Sequence, residues 1–389
     1  MNDKQIVTPW ETKCGKDGFD YDRMIKKFGC QKLGPELLKR FKEVTGHKPH
    51  MWMKRGIFFA HRGLDEILDD VEKGKSVFLY TGRGPSSDMH IGHAISFTLT
   101  AWLQKVLKAV TVIQIADDEK YHFKDMEFDE IYNLGFKNAK DIISFGFDPK
   151  RTFIFSNRDF SINRSYANVF SEISKRVNIN TVQSIFGIKK DKCMGQLIWP
   201  IYQTTASFSQ SFDHIFGDNN YRCLVLYAID QDPYFRLARD VAPKLNFLKP
   251  CSIIGKFLPA LEGKMKLSST GINAKKSTIF LSDSNKVIKK KIMKFALSSG
   301  GTTIELHRKN GGNPDKDIPC QWLEFFMDSH TRLKEIKDEF KSGRLLCGEI
   351  KKILADKIIT FINVIRKAKT TITDNDVKLF YEQKKLKLL

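Results

Sequence analysis

The sequence predicts an α/β protein built on a doubly wound parallel sheet with inserted helices, followed by an all-helical C-terminal domain. Three observations predict it. From Val77 onward, short apolar runs bounded by turn residues alternate with stretches of helical periodicity, the pattern of a parallel sheet with crossover helices. The interval between Phe155 and Cys223 is too long for a simple crossover and calls for an inserted helical subdomain. After Leu281 the strand pattern stops and only helical spacing continues.

Residues 1–76 open with Val7-Thr8-Pro9-Trp10-Glu11 and continue through helical segments at Tyr21–Phe28, Pro35–Thr45 and Gly63–Glu72. Val77-Phe78-Leu79-Tyr80 is the first buried strand, and Ala94 to Leu107 is helical, with Ile95, Leu99, Leu103 and Val106 on one face. Further strands are expected at Thr111–Ala116, Thr152–Phe155, Cys223–Ile229 and Cys251–Ile254, with a helix at Phe128–Phe145 among the connections. Beyond Leu281, Lys286–Phe295, Trp322–Phe340 and Gly348–Arg366 read as helices. The division is therefore an N-terminal extension at 1–76 packed on an α/β domain, that domain at 77–283 with its insertion at about 157–212, and a helical domain at 284–389.

Composition bounds the function classes. A chain of 389 residues that is 41% hydrophobic, with 30 Phe, has ample core for two or three domains. A formal charge of +20 favours polyanionic partners, nucleic acid or an acidic membrane surface. From Thr331 to Leu389 there are 15 Lys/Arg against 8 Asp/Glu, a balance that suits either RNA contact by the helical domain or simply a solvated lysine-rich face. The seven cysteines are scattered, with no C-x-x-C pair, so neither a zinc site nor a disulfide framework is expected. The N-terminal Met-Asn-Asp-Lys-Gln carries no apolar signal region and no apolar run approaches membrane-spanning length. A cytoplasmic protein without a membrane partner is expected.

The chemistry concentrates at the first strand–helix junction, Thr81-Gly82-Arg83-Gly84-Pro85-Ser86-Ser87-Asp88-Met89-His90-Ile91-Gly92-His93. Ligands of open α/β sheets bind at the carboxyl ends of strands, small residues admit a ligand close to the backbone, and a helix N-terminus favours an anion. His90 and His93, three apart, share one side of the first helical turn, and Arg83 adds a planar cationic fork. A nucleoside triphosphate fits each of these parts. A P-loop does not account for them: Gly74-Lys75-Ser76 lacks the required glycine at Asp69, and the strand follows the triplet rather than preceding it.

Three more stretches fall at strand ends. Gln114-Ile115-Ala116-Asp117-Asp118-Glu119-Lys120 offers acids for an ammonium group, or equally an ordinary helix N-cap. Asp230, in Ala228-Ile229-Asp230-Gln231-Asp232-Pro233, is placed to bond ribose hydroxyls, a loop cap being the other use of such a string. Gly263-Lys264-Met265-Lys266-Leu267-Ser268-Ser269-Thr270-Gly271 combines lysine and hydroxyls in a loop suited to charge on transferring phosphates, or is simply an exposed loop.

Taken together, His90-Ile91-Gly92-His93 resembles the HIGH motif of class I aminoacyl-tRNA synthetases, with a Rossmann-like catalytic domain. From about Val7 to the C-terminus the chain resembles the eukaryote-type tryptophanyl branch. The matching strings are Thr8-Pro9-Trp10, Arg55-Gly56-Ile57-Phe58-Phe59, Tyr80 to Ser87, Asp117-Asp118-Glu119-Lys120-Tyr121 and Ala228 to Arg236. The KMSKS loop corresponds to Lys266-Leu267-Ser268-Ser269-Thr270, with Leu267 in place of the usual Met and Lys264-Met265 as a rival register. The loop before the first histidine is one residue short, with Asp88 where Glu-Ala is usual.

The resemblance implies activation of L-tryptophan by ATP, with Mg2+ accompanying the nucleotide, and transfer to the 3′ end of tRNA(Trp). It implies His90, His93 and Lys266 as catalytic residues acting on the triphosphate. Thr81, Arg83, Gly92, Asp230, Gln231, Lys266, Ser268 and Ser269 would bind ATP, and Lys120 is a further phosphate-side candidate. Tyr80, Gln114, Glu119, Gln203 and Gln231 would bind tryptophan, with Tyr80 and Gln114 at the indole N–H. No resident metal site is implied. A homodimer is, with the inserted helices at its interface. Tyrosyl-tRNA synthetases share the fold, small nucleotidyltransferases share an H-x-G-H motif, and a non-catalytic RNA-binding descendant of a synthetase is the third alternative.

Overall fold

The computed structural model describes residues 6–9, 12–13, 19–217, 219–263 and 274–388. A short antiparallel ribbon, β1 (Ile6–Val7) with β2 (Thr12–Lys13), precedes the main sheet. The sheet comprises β3 (Gln31–Lys32), β4 (Phe58–Arg62), β5 (Val77–Arg83), β6 (Val110–Ile115), β7 (Thr152–Ser156), β8 (Arg222–Ala228) and β9 (Cys251–Gly255). Its order is β3-β4-β9-β8-β5-β6-β7. The five strands from β5 to β9 in sequence run parallel, in two wings that meet between β5 and β8. Strand order reverses there, which is where such sheets open a crevice.

The expected doubly wound parallel sheet is present as β5 to β9, and two antiparallel strands extend one edge of it. β4 pairs antiparallel with β9, and β3 with β4, so the N-terminal segment supplies two strands that the sequence reading had not placed. The reason is local. Phe58-Phe59-Ala60 is a short apolar run that continues into His61 and Arg62, and polar residues mask a buried strand. Arg62 tolerates burial because its guanidinium meets Asp232, with Nε to Oδ1 and Nη2 to Oδ2 both at 2.9 Å. Asp232 is fully buried, and Tyr227 Oη also donates to it at 3.0 Å. Arg62 Nη1 reaches the carbonyl of Gly29 at 3.0 Å, so one ion pair ties β4, β8, the Tyr21–Phe28 helix and the Asp232–Val241 helix together.

Strand alternation sorts the core into two faces. Tyr80, Val112, Phe153, Phe155 and Val225 face one apolar cluster with Phe160, Tyr166 and Phe212 of the segment between β7 and β8. Leu79, Ile113, Ile154 and Leu224 face the other, which is continuous with Ile288, Trp322, Leu354 and Ile358 of the C-terminal helices. Among the described residues, the segment between β7 and β8 folds as the α-helices Asn157–Phe160, Arg164–Ser174, Ile179–Phe186, Met194–Thr205 and Asp213–Phe216.

The helix expected over Trp322–Phe340 is two helices, Ile318–Phe326 and His330–Lys341. Met327 is extended, and Ser329 restarts the chain by accepting the amide of Arg332 at 3.1 Å. The Arg55-Gly56-Ile57 string serves this break: Arg55 Nη1 donates to the carbonyls of Glu324 at 2.9 Å and Met327 at 2.6 Å, completing the C-terminus of the first helix. Among the described residues no helix is long and apolar enough to cross a membrane.

Stripping one partner from the buried pair leaves a charge without its counter-ion, whereas exposed pairs contribute little. Arg62→Met is therefore expected to lower unfolding stability by about 3–5 kcal/mol in urea titrations. Arg40→Met, which removes a half-buried Arg from Asp69 and Glu72, should cost within about 1 kcal/mol. Equal losses would contradict this ranking.

Candidate functional site

β5 delivers Tyr80, Thr81 and Arg83 to the crevice, and its neighbours hold it in register, with Tyr80 opposite Val112 of β6 and Val225 of β8. Past Arg83 the chain turns through Gly84 and enters the Ile91–Leu107 helix with His90 as its extended N-cap. The amide of His90 points at His93 Nδ1, 3.2 Å away, and the two imidazoles stack with centroids 3.6 Å apart. The loop is stitched to a distant segment: Ile91 N donates to Ile279 O at 3.0 Å and Leu281 N to Met89 O at 2.9 Å. Asp88, at the shortened position, bonds Lys137 at 2.7 Å and Ser282 at 2.9 Å, fastening the same junction. Lys266, Ser268 and Ser269, with the rival Lys264, lie outside the described residues.

Arg83 is only 8% exposed, and its guanidinium is engaged by protein: Nε on Asn138 Oδ1 at 3.1 Å, Nη2 on Ser87 O at 3.3 Å and Nη1 against His93 Nε2 at 3.0 Å. Burial pushes it down to about 10, still a cation at neutral pH. In this geometry Arg83 holds the loop and His93. Both ring nitrogens of His93 meet N–H donors, and a neutral imidazole has one lone pair to offer them.

Tyr80 and Gln114 are each 2% exposed and touch directly, the Tyr80 hydroxyl donating to Gln114 Oε1. The backbone carbonyl of Gln203, on the Met194–Thr205 helix, is 3.5 Å from the same hydroxyl. Gln114 Nε2 donates to Asn157 Oδ1 at 2.8 Å and lies 3.4 Å from Tyr166 Oη. Asn157 Nδ2 donates to Asp118 Oδ1 at 2.9 Å. Burial pushes the Asp118 carboxyl up to about 7, against the bond from Asn157 and with a contribution from neighbouring Asp117.

Asp117 is fully buried and spoken for by the Ser156 hydroxyl and the Arg158 amide at 3.2 Å, an anchoring role between β6 and β7. Glu119 pairs with Lys120 at 2.9 Å, both largely covered. Their side chains lie where a Cβ at Gly84 would stand, so that glycine is required by close approach. Across the crevice Asp230 is 5% exposed on the 3-10 turn Ile229–Gln231 that follows β8, with Gln231 half-buried beside it. Thr81 is buried and Gly92 half-buried in the first turn after the N-cap.

The structure therefore gathers Tyr80, Thr81, His90, Gly92, His93, Gln114, Glu119 and Asp230 at the carboxyl ends of β5, β6 and β8, with Gln203 contributing its backbone. Asn157, Tyr166 and Asn138 are the residues the sequence reading passed over. A lone Asn or Tyr has no pattern of its own, and only the fold brings these three to Gln114 and Arg83. A cavity of 310 Å3, lined in part by Tyr132, Phe136, Phe155, Lys378 and Tyr381, opens at the β7 edge and includes none of the predicted site residues.

Residues 72–363 match the family model described as tRNA synthetases class I (W and Y). The chain is 44% identical over 391 residues to the cytoplasmic tryptophan–tRNA ligase of Homo sapiens, covering 99% of this chain and 82% of that one. It is 44% identical over 382 residues to the cytoplasmic tryptophan–tRNA ligase of Arabidopsis thaliana, covering 97% and 94%. The crystal structure of Plasmodium falciparum tryptophanyl-tRNA synthetase superposes with a TM-score of 0.86 at 39% identity, covering 94% of this chain and 98% of that one. The chain belongs to the class I tRNA synthetases of the tryptophan and tyrosine group.

Proposed function

We propose that this chain is a cytoplasmic tryptophan–tRNA ligase that uses ATP and Mg2+ to form tryptophanyl-adenylate and then charges tRNA(Trp). The observations that carry the reading are the buried Tyr80–Gln114 pair on β5 and β6 and the His90–His93 loop that follows β5, which we read as a recognition floor and a phosphate-binding loop. An indole is an apolar plate with one N–H donor, and Gln114 Oε1 with the Tyr80 oxygen supplies acceptors for it in a dry setting. Glu119, Gln203 and Gln231 hold the α-ammonium and orient the substrate.

Tryptophan's carboxylate is already an anion, so its attack on the α-phosphate needs no protein base. One C–O–P bond forms, pyrophosphate leaves, and catalysis consists of positioning and charge stabilisation. His90 and His93, at a helix N-terminus, act on the triphosphate, with Lys266, Ser268 and Ser269 from the KMSKS-like stretch of the same chain and Lys120 from the phosphate side. Thr81 and Gly92 border the nucleotide and Asp230 takes the ribose. Arg83 acts through His93 and the loop it holds. Mg2+ accompanies the nucleotide, carried on the phosphates of ATP.

The divisions follow: 1–76 is an extension packed on the catalytic body, 77–283 that body, and 284–389 the anticodon-binding domain. A homodimer is part of the reading. Ile162, Ile179 and Met194, exposed by 83%, 60% and 62%, stand on the segment between β7 and β8, and a second copy is the cover expected for them. Sedimentation should give twice the 44.8 kDa chain mass, and Ile179→Glu with Met194→Glu should return it to that of one chain. A single-chain mass for the unmodified protein would overturn the dimer.

Amino-acid-dependent ATP–pyrophosphate exchange tests the activity. Exchange is expected with tryptophan and not with tyrosine. Lys266→Ala should lower kcat by about 10²–10³, and Gln114→Ala should lower kcat/KM for tryptophan by roughly 5- to 150-fold while sparing KM for ATP. Tyrosine-selective exchange would leave the family standing and remove the pocket assignment.

A further inference from the structure

A glutamine side chain can turn either end of its amide to a ligand, and only the oxygen accepts an N–H. What decides the choice at Gln114 lies behind it. Its Nε2 spends one N–H on Asn157 Oδ1 at 2.8 Å. The other faces Tyr166 Oη at 3.4 Å, and that hydroxyl donates onward to the carbonyl of Tyr202 at 2.8 Å, leaving it only acceptor capacity toward Gln114. Asn157 could itself be reversed, but its Nδ2 sits 2.9 Å from Asp118 Oδ1, which also takes the amide of Glu119 at 2.8 Å. Direction thus runs from Asp118 through Asn157 to Gln114. Reversing Gln114 would set its oxygen against the Asn157 oxygen and leave two buried amides mispaired.

We propose that Asn157, anchored on Asp118, is a positioning residue for amino-acid selection: it holds Gln114 with its carbonyl toward the substrate and thereby sets the preference for an indole N–H over an isosteric ring that lacks one. The proposal rests on the assignment of Tyr80 and Gln114 as the indole readers. Asn157 is 1% exposed and acts only through Gln114. It lies at the start of the segment between β7 and β8, so the first residue of the insertion supports the pocket formed by the sheet.

The test compares kcat/KM for tryptophan and for 3-(benzothiophen-3-yl)alanine, in which sulfur replaces the indole N–H, in pyrophosphate exchange. Asn157→Leu should lower the tryptophan preference roughly 5- to 150-fold. The benzothiophene substrate's kcat/KM and the KM for ATP should stay within about twofold of the unmodified enzyme. Asn157→Asp keeps an oxygen facing Gln114 Nε2, and the Asp118 carboxyl, which burial raises, can share a proton with it across the 2.9 Å that the amide now spans. That variant should retain the preference within about threefold. Should Asn157→Leu not fold, Asn157→Ser, too short to span Asp118 and Gln114, serves instead.

An unchanged preference in the Leu or Ser variant would overturn the proposal, and so would equal loss for both substrates, the mark of a merely structural role. Failure of Asn157→Asp to retain the preference would overturn it as well. Gln114→Ala separates the two levels. If it leaves the preference intact, the pocket assignment itself is wrong; if it collapses the preference while Asn157→Leu does not, only the role of Asn157 is.

Discussion

Parallel pairing of β5 on both of its edges is the constraint from which the site follows. Backbone hydrogen bonds to β6 and β8 fix where Tyr80 stands and therefore where the chain leaves the sheet at Arg83. A one-residue slip would exchange the Tyr80 face for the Leu79 face, turning the hydroxyl from the crevice into the core shared with the C-terminal helices. The loop inherits that precision through Arg83, whose guanidinium fastens Asn138, Ser87 and His93 at once. The other wall is fixed by the Arg62–Asp232 pair, which sets the start of the helix directly after Asp230 and Gln231.

The chemistry assigned to this crevice explains why its residues look as they do. A reaction whose nucleophile is already charged calls for donors and geometry rather than a proton relay, and the loop supplies a helix N-terminus and two stacked imidazoles. In the proposed reading, discrimination among amino acids falls to buried polar atoms. There a mispaired group costs far more than in water, so a pocket that bonds the indole edge can reject analogues without an editing step. The network behind Gln114 extends the same logic one layer outward.

Much of this was legible in the sequence, because the signals were local. The helices Tyr21–Phe28 and Pro35–Thr45 carry their boundaries in Gly29, Gly34 and Gly46, and the strand–Gly-loop–helix junction is a contiguous string. What stayed hidden depends on distant partners. β4 reads poorly because Arg62 needs Asp232, 170 positions away, to be tolerable in a buried strand. The partners that hold Arg83, Asn138 above all, are invisible from its own loop. Asn157 carries no pattern of its own, and its bonds to Gln114 and Asp118 exist only once β6 and β7 are paired.

The central claim is that Tyr80 and Gln114 read the indole N–H at the foot of the β5 crevice, and a crystal structure with bound tryptophan tests it most directly. The account predicts the indole nitrogen at roughly 2.7–3.2 Å from Gln114 Oε1 or the Tyr80 oxygen, with Gln114 Nε2 still on Asn157. Tryptophan bound with its N–H facing neither group, or with the Gln114 amide reversed, would contradict it.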